Sequence, residues 1–371
     1  MNPHLLAVPG VRELSPYQPG KPISELQREL GLTRIVKLAS NENPLGPSPA
    51  ALAAIRQTLA DVALYPDGSG YALKEALDRV LGVPAGQVTL GNGSNDVLEL
   101  VARAFLGPDD EAVYAEHAFA VYPIVTQAVG ARGIVAPAHV GSQGVRYGHD
   151  LDAMARCIGT RTRVVFIANP NNPTGTYVSS QVLRRFLEGL PDHVIAVVDE
   201  AYVEYVSAPD YSSALRWLPD LPNLIITRTF SKAYGLAGLR VGFAVSSVEI
   251  ADLLNRVRQP FNVNSLALAA ASAALNDREH LERSVALNAS GLKRLADEFS
   301  GRDLTYIPSV GNFITIDLRR DAVPIFQARL REGVIVRPVA NYGLPNHLRV
   351  TVGTAEENQC LLVALDRVLS S

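Results

Sequence analysis

The chain has five lysines, and one of them, Lys232, stands in TFSKAYGLAGLRVG (229–242), between the apolar runs NLIIT and VGFAV. A lysine there can lie along a surface with its ammonium in water. It can also form a Schiff base with a carbonyl, which calls for partial desolvation to lower its pKa. Asp199 closes HVIAVVD, a costly place for a carboxylate unless it caps the following turn or meets a cation. Such a carboxylate could hold a pyridine nitrogen protonated and turn the ring into an electron sink. Asn172, in NPNNPTG, and Tyr202, three residues past Asp199, could each hydrogen-bond a ring oxygen; singly, each also suits a turn or an interface.

A second set of residues suits a phosphate. Gly91 and Gly93, in GNGSN, allow close approach of the backbone, and Ser94 and Asn95 open a helix whose free amides favour an anion. Ser94 would serve equally as an ordinary cap. The turn is not GxGxxG, no acidic residue sits at the ribose-binding distance, and the lysine of a P-loop is missing, so a dinucleotide is disfavoured. Thr229, Ser231 and Arg240 surround Lys232 with two hydroxyls and a guanidinium. A surface salt bridge would account for Arg240 in isolation. Together the groups describe one ligand: an aldehyde on a pyridinium ring carrying a phosphate, which is pyridoxal 5'-phosphate (PLP).

These residues need a frame that brings them to one place. Short apolar runs at QVTL, EAVYAE, RVVFIANP, HVIAVVDEAY, NLIITRTF and VGFAV alternate with helical or loop segments. Near-continuous apolar strands joined in this way predict an α/β fold with a mostly parallel sheet covered on both faces. In such a sheet, ligands bind at the carboxyl ends of the strands. The GNGSN turn, the NPNNPTG loop, Asp199 and the TFSK turn all fall at such ends. SNDVLELVARAFLG reads as an amphipathic helix, with Val97, Leu98, Val101 and Phe105 on its apolar side. Past about residue 246 helices dominate, Pro260 breaks their run, and FITIDL, VIVRP and LRVTVG read as short strands. The expected division is a large unit over 46–255 and a smaller α+β unit from 256–371, joined by a proline-rich arm over 1–45.

The order GNGSND, NPNNPTG, VVDEAY, TFSKAYGLAGLRVG and LRVTVGTAEEN resembles the fold-type-I PLP-dependent aminotransferases, and most of all the histidinol-phosphate aminotransferases. LASNENPLGPSP and YPDGSGYALKEAL strengthen the likeness, which runs from SPYQ at 15–18 through the C-terminal helix. NPTG and SK are shared by many aminotransferases; NENPLGP with LRVTVGT and EEN narrows the choice.

The resemblance implies that Lys232 carries the cofactor and shuttles the proton of the substrate α-carbon. It implies that Asp199 pairs with the pyridine nitrogen and that Asn172 and Tyr202 meet the phenolic oxygen. Ser94, Asn95, Thr229, Ser231 and Arg240 would hold the phosphate, with Tyr65 reaching it from the partner subunit of a homodimer. Phe119, in HAFAVYP, takes the place of the ring that stacks on the pyridine. Arg349 would bind the substrate carboxylate or phosphate, assisted by Arg337. Tyr17, on the neighbouring arm, would close the site and is a second candidate to cross between subunits. Two departures stand out: a phenylalanine at 119 where the family commonly has tyrosine, and Asn95–Asp96 where it often has an acidic pair.

The implied activity is transamination between L-histidinol phosphate and 2-oxoglutarate. An aromatic amino acid aminotransferase is the alternative, and a phosphothreonine decarboxylase a more distant one. A silent PLP-binding regulator would need a DNA-binding module, for which the chain has no spare basic segment. Bulk properties agree with a small-molecule enzyme. A formal net charge of -3 makes no electrostatic case for nucleic acid or an anionic membrane. Cys157 and Cys360 lie far apart and form no metal-binding pattern, as expected of thiols in a reducing compartment. The first residues lack the unbroken apolar core of a signal peptide, and a cytoplasmic location is expected.

Overall fold

The computed structural model describes residues 2–142 and 144–369. After a short first strand, β1 (Val36–Lys37), seven strands build the sheet that carries the site. They are β2 (Val88–Gly91), β3 (Glu111–Ala115), β4 (Arg132–Ala136), β5 (Thr162–Ala168), β6 (Ile195–Asp199), β7 (Leu224–Thr229) and β8 (Gly242–Val245). Their spatial order is β2-β8-β7-β6-β5-β3-β4. Only β8 runs against its neighbours; the remaining pairings are parallel. Both faces of the middle strands are covered, and Val164–Ala168, Ala196–Asp199 and Leu224–Thr229 are buried without a break. Complete burial is why these strands read as continuous apolar runs rather than as alternating ones.

The reversal of β8 has a direct consequence for chemistry. Thr229 pairs with Gly242, so the chain enters β8 at the edge where the parallel strands end. Arg240, two residues ahead of Gly242, is thereby brought beside the Thr229–Lys232 turn. β4 had no counterpart among the expected strands. It lies at the sheet edge with Arg132, Gly133 and Val135 exposed, so its RGIVA stretch lacks the apolar continuity of a central strand.

A second sheet is antiparallel, built from β9 (Thr305–Ile307), β10 (Phe313–Asp317), β12 (Arg337–Val339) and β13 (Leu344–Thr351), in the order β12-β13-β10-β9. Between β10 and β12 in sequence, β11 (Val334–Ile335) pairs in parallel with β1. Apolar packing falls into two main clusters. The larger extends from Ala51 to Leu275; the smaller joins Val36 and Leu38 to Leu295, Phe299, Ile316, Leu348 and Leu361. Helix Ser265–Asn276, beyond the expected limit at 255, packs against helices Pro49–Thr58 and Tyr71–Leu81 and feeds the larger cluster through Ala267, Ala270 and Ala271. The second half of the expected arm is likewise structured. Helix Ile23–Leu30 buries Leu26 completely, and β1 completes the small pair with β11.

Close backbone approach at the sheet edge rests on glycine. A Cβ at Gly242 would lie 2.5 Å from the Ser94 amide nitrogen and 2.8 Å from the Arg228 carbonyl oxygen, both main-chain atoms with little room to yield. Gly242→Ala is therefore expected to cost about 1–3 kcal/mol, the usual range for overpacking. Gly238→Ala, where nothing lies within 4 Å, should be close to neutral. Urea denaturation of the two variants beside the parent protein checks the contrast.

Candidate active site

The carboxyl edge of the large sheet opens into a cavity against β12 and β13. Its walls include Tyr17, Ser94, Asn95, Phe119, Asn172, Asp199, Tyr202, Thr229, Ser231, Lys232, Arg240, Arg337 and Arg349. Of the side chains given a role at the site by the sequence, Tyr65 alone is not part of this wall. Its ring stacks on Phe261, with centroids 4.7 Å apart, and is 82 % exposed. Tyr17 sits in the cavity of its own chain, where the Arg337 guanidinium lies 5.7 Å from its ring centre.

Lys232 follows the last residues of β7 and is surrounded by protein, with its remaining exposure directed into the cavity. Its Nζ donates to the Ser40 carbonyl at 3.1 Å and lies 5.8 Å from the centre of the Tyr202 ring. Burial, and then the nearby Arg349 guanidinium, bring its pKa down from 10.5 to about 7, against the opposing pull of Glu42. Asp199, the last residue of β6, is 5 % exposed. Its Oδ2 accepts a 2.9 Å hydrogen bond from the Tyr122 hydroxyl, whose ring stacks on Phe166. Oδ1 has no hydrogen-bond partner among the described residues. Burial raises the pKa of Asp199, and the Tyr122 hydrogen bond opposes the rise.

Around Arg240 the structure forms a cradle. Helix Ser94–Phe105 starts from Gly93, which has a φ of 84° and offers no side-chain cap. A Cβ on Gly93 would come within 2.5 Å of Arg240 Nη2, so glycine is what lets the helix start meet the guanidinium. Arg240 Nη1 donates to the Ala237 carbonyl at 3.0 Å and reaches Ser231 Oγ at 3.4 Å. The Ser231 amide donates to Thr229 Oγ1 at 3.1 Å. Free helix amides, hydroxyls and one guanidinium at a single spot suit a small multivalent anion.

On the other side, β12 and β13 place Arg337 and Arg349 directly opposite each other. Both are buried, and the hydrogen-bond partners of both among the described residues are amide or carbonyl oxygens rather than carboxylates. Arg349 donates to Asn172 Oδ1 and to the Ala39 carbonyl, the latter at 2.6 Å, and its Nε is left without a partner. Arg337 donates to the Gln18 carbonyl. Two guanidiniums facing across a ladder repel one another unless an anion joins them, and burial already lowers the pKa of Arg349. Asn172, with its Oδ1 engaged by Arg349, keeps its Nδ2 hydrogens for the cavity. Phe119 closes another wall, its ring edge-on to Tyr122 at 5.9 Å.

Three neighbours were not found from the sequence. Ser40 and Asn41 come from LASNENPLGPSP, a segment noticed as a motif but not resolved into contacts. Asn41 Nδ2 donates to the Tyr202 hydroxyl at 2.9 Å. Tyr122 lies three residues after Phe119, just inside the helix Val121–Ala128, and that closeness in sequence is the one local signal that could have linked it to the site.

The depressed pKa of Lys232 can be checked by its chemistry. The free amine is the reactive form, so a lower pKa makes Lys232 nucleophilic at lower pH. Reductive methylation at Lys232 should rise with a midpoint near pH 7. At the exposed Lys293, the Asp297 hydrogen bond raises the pKa and the midpoint should lie above the ordinary lysine value. Peptide mass spectrometry after pulses at several pH values would report both.

Comparison with known proteins agrees with this geometry. The sequence pattern of the family "Aminotransferase class I and II" matches residues 33–365. A histidinol-phosphate aminotransferase 2 of Methylococcus capsulatus is 65% identical over 364 residues, covering 98% of each chain. One from Pseudomonas fluorescens is 61% identical over 367 residues, again covering 98% of each chain. Among solved structures, the histidinol-phosphate aminotransferase of Sinorhizobium meliloti in complex with pyridoxal-5'-phosphate matches with a TM-score of 0.89 at 28% identity, over 98% of this chain and 97% of its own. With strand order, cavity and full-length likeness in agreement, the chain belongs to the aminotransferase class I and II family.

Proposed function

We propose that this protein is a PLP-dependent transaminase that moves the amino group of L-histidinol phosphate to 2-oxoglutarate, giving imidazole acetol phosphate and glutamate, a step of histidine biosynthesis. The observation that carries the reading is one cavity combining an amine of depressed pKa, a buried carboxylate oxygen without a partner, and anion-seeking groups on two sides. PLP fits these features in turn. Asp199 Oδ1 suits a protonated ring nitrogen, the cradle at Ser94, Asn95, Thr229, Ser231 and Arg240 suits the phosphate, and Phe119 suits the ring face. When bound, PLP supplies an aldehyde for the amino group and a ring that accepts the electron pair released at the substrate α-carbon.

The chain's own residues then have defined tasks. Lys232 Nζ, half unprotonated near neutral pH, takes the proton from the substrate α-carbon and hands it on. Asp199 keeps the ring nitrogen charged. The Tyr202 hydroxyl and Asn172 Nδ2 hydrogen-bond the phenolic oxygen. Arg349 and Arg337 hold the anionic end of either partner, the phosphate of one substrate and a carboxylate of the other, which suits alternating half-reactions and ping-pong kinetics.

The reading includes a homodimer in which Tyr65 of the partner subunit completes the phosphate site; the exposure of Tyr65 outside its own cavity supports this. It also includes two units with their limit near Asn276, supported by the two apolar clusters, and activity in the cytoplasm. No helix among the described residues is long and apolar enough to cross a membrane.

Single half-reactions test the substrate. The cofactor band should convert far more efficiently with histidinol phosphate than with phenylalanine. The opposite preference would move the assignment to aromatic amino acids, and carbon dioxide release would move it to a decarboxylase. Lys232→Ala should still bind PLP, yet lose the borohydride-trapped adduct and nearly all turnover. Arg349→Gln should lower kcat/KM for histidinol phosphate by roughly tenfold to a hundredfold, the size of a lost charged hydrogen bond of about 1.5–3 kcal/mol.

A further inference from the structure

Asn41 is 1 % exposed and adopts a left-handed backbone, with a φ of 56°. Asparagine tolerates that conformation better than most residues. Both of its backbone polar groups and both polar atoms of its side chain are engaged. The backbone amide donates to Thr351 Oγ1 at 2.9 Å, and the Thr351 hydroxyl donates back to Asn41 Oδ1 at 3.1 Å. Asn312 Nδ2 donates to the Asn41 carbonyl at 3.0 Å. That leaves Asn41 Nδ2 turned toward the Tyr202 hydroxyl, 2.9 Å away.

The polarity of the last bond matters more than its length. A phenol has one proton to give, and its oxygen can accept. With Oδ1 occupied by the Thr351 hydroxyl, the side chain of Asn41 meets Tyr202 only as a donor. The Tyr202 proton is thus left for an acceptor in the cavity, and the N–H it receives strengthens it as a donor.

We infer that Asn41 is a positioning residue that acts through Tyr202: it commits the Tyr202 hydroxyl to donate into the cavity and so sets the pH at which the Lys232–PLP chromophore gains its proton. The inference rests on the PLP reading above. A donor to the phenolic oxygen draws charge from the atom whose negative charge holds the proton on the neighbouring nitrogen. Losing that donor raises the protonation midpoint. Thr351 is the last residue of β13 and Asn312 immediately precedes β10, so the smaller sheet fixes the direction of a hydrogen bond made by a residue that follows β6 of the larger one.

The test is a pH titration of the absorbance of the PLP-loaded enzyme. Asn41→Asp replaces the donor with an acceptor of the same shape, which would capture the Tyr202 proton. The midpoint should rise by about 1 pH unit, the size of one ordinary hydrogen bond. Tyr202→Phe should shift it in the same direction, and the double variant should move no further than Tyr202→Phe alone. An unmoved midpoint in Asn41→Asp overturns the inference. So does a full additional shift in the double variant, which would mark a bare charge effect independent of Tyr202. If Asn41→Asp does not fold by circular dichroism, Thr351→Val supplies the test. Without the hydroxyl that pins Oδ1 the amide is free to turn; a midpoint raised in that variant supports the inference, and an unchanged one overturns it. A parent protein that forms no titrating band with PLP would instead bring down the cofactor reading itself.

Discussion

Four cationic side chains, Lys232, Arg240, Arg337 and Arg349, converge on a cavity whose wall contains one carboxylate, that of Asp199. Arg240 stays exposed, but taking Lys232, Arg337 and Arg349 largely out of water is costly, and placing them near one another adds repulsion. The cost is visible in the groups themselves: burial and the Arg349 charge lower the pKa of Lys232, and burial lowers that of Arg349. The same crowding of positive charge is chemically useful, because it brings the pKa of the amine down to about 7 and lines the cavity with groups that suit anions.

The scaffold meets this demand by separating support from chemistry. Strands β5, β6 and β7 are buried along nearly their whole length, and reactive groups are confined to their carboxyl ends. The reversed β8 delivers Arg240 to the same edge from the opposite chain direction. The antiparallel sheet faces this edge with its paired arginines. Neither sheet alone encloses a ligand; the cavity exists where they meet.

Within the cavity, hydrogen-bond direction carries as much information as charge. Arg349 occupies the carbonyl oxygen of Asn172, and Thr351 occupies that of Asn41, so both amides show their N–H groups to the site or to Tyr202. Tyr122 satisfies one oxygen of Asp199 and leaves the other free. Each contact reduces the freedom of a reacting group before any ligand arrives, the usual structural basis of preorganisation. Phe119 differs in kind, since it can offer a ring face but no hydrogen bond.

The sequence alone determined the α/β class and the strands of the sheet interior, and it marked Lys232, Asp199, Asn172, Tyr202, Arg240 and Arg349 as candidates, which the structure gathers around one cavity. The strands and the polar groups at or just past their ends were legible because an apolar run ending in a polar residue is a local pattern, written by burial along a few consecutive positions; Arg349, inside LRVTVG, was marked only by the family resemblance. Tertiary structure decided the rest. It reversed β8, added the exposed β4, drew helix Ser265–Asn276 into the larger cluster, and kept Tyr17 at its own cavity while leaving Tyr65 outside it. It also paired Tyr122 with Asp199 across 77 positions and Asn41 with Tyr202 across 161. Such pairings have no local signature, because a hydrogen bond depends on which distant surfaces pack together and on the direction each donor faces when they do.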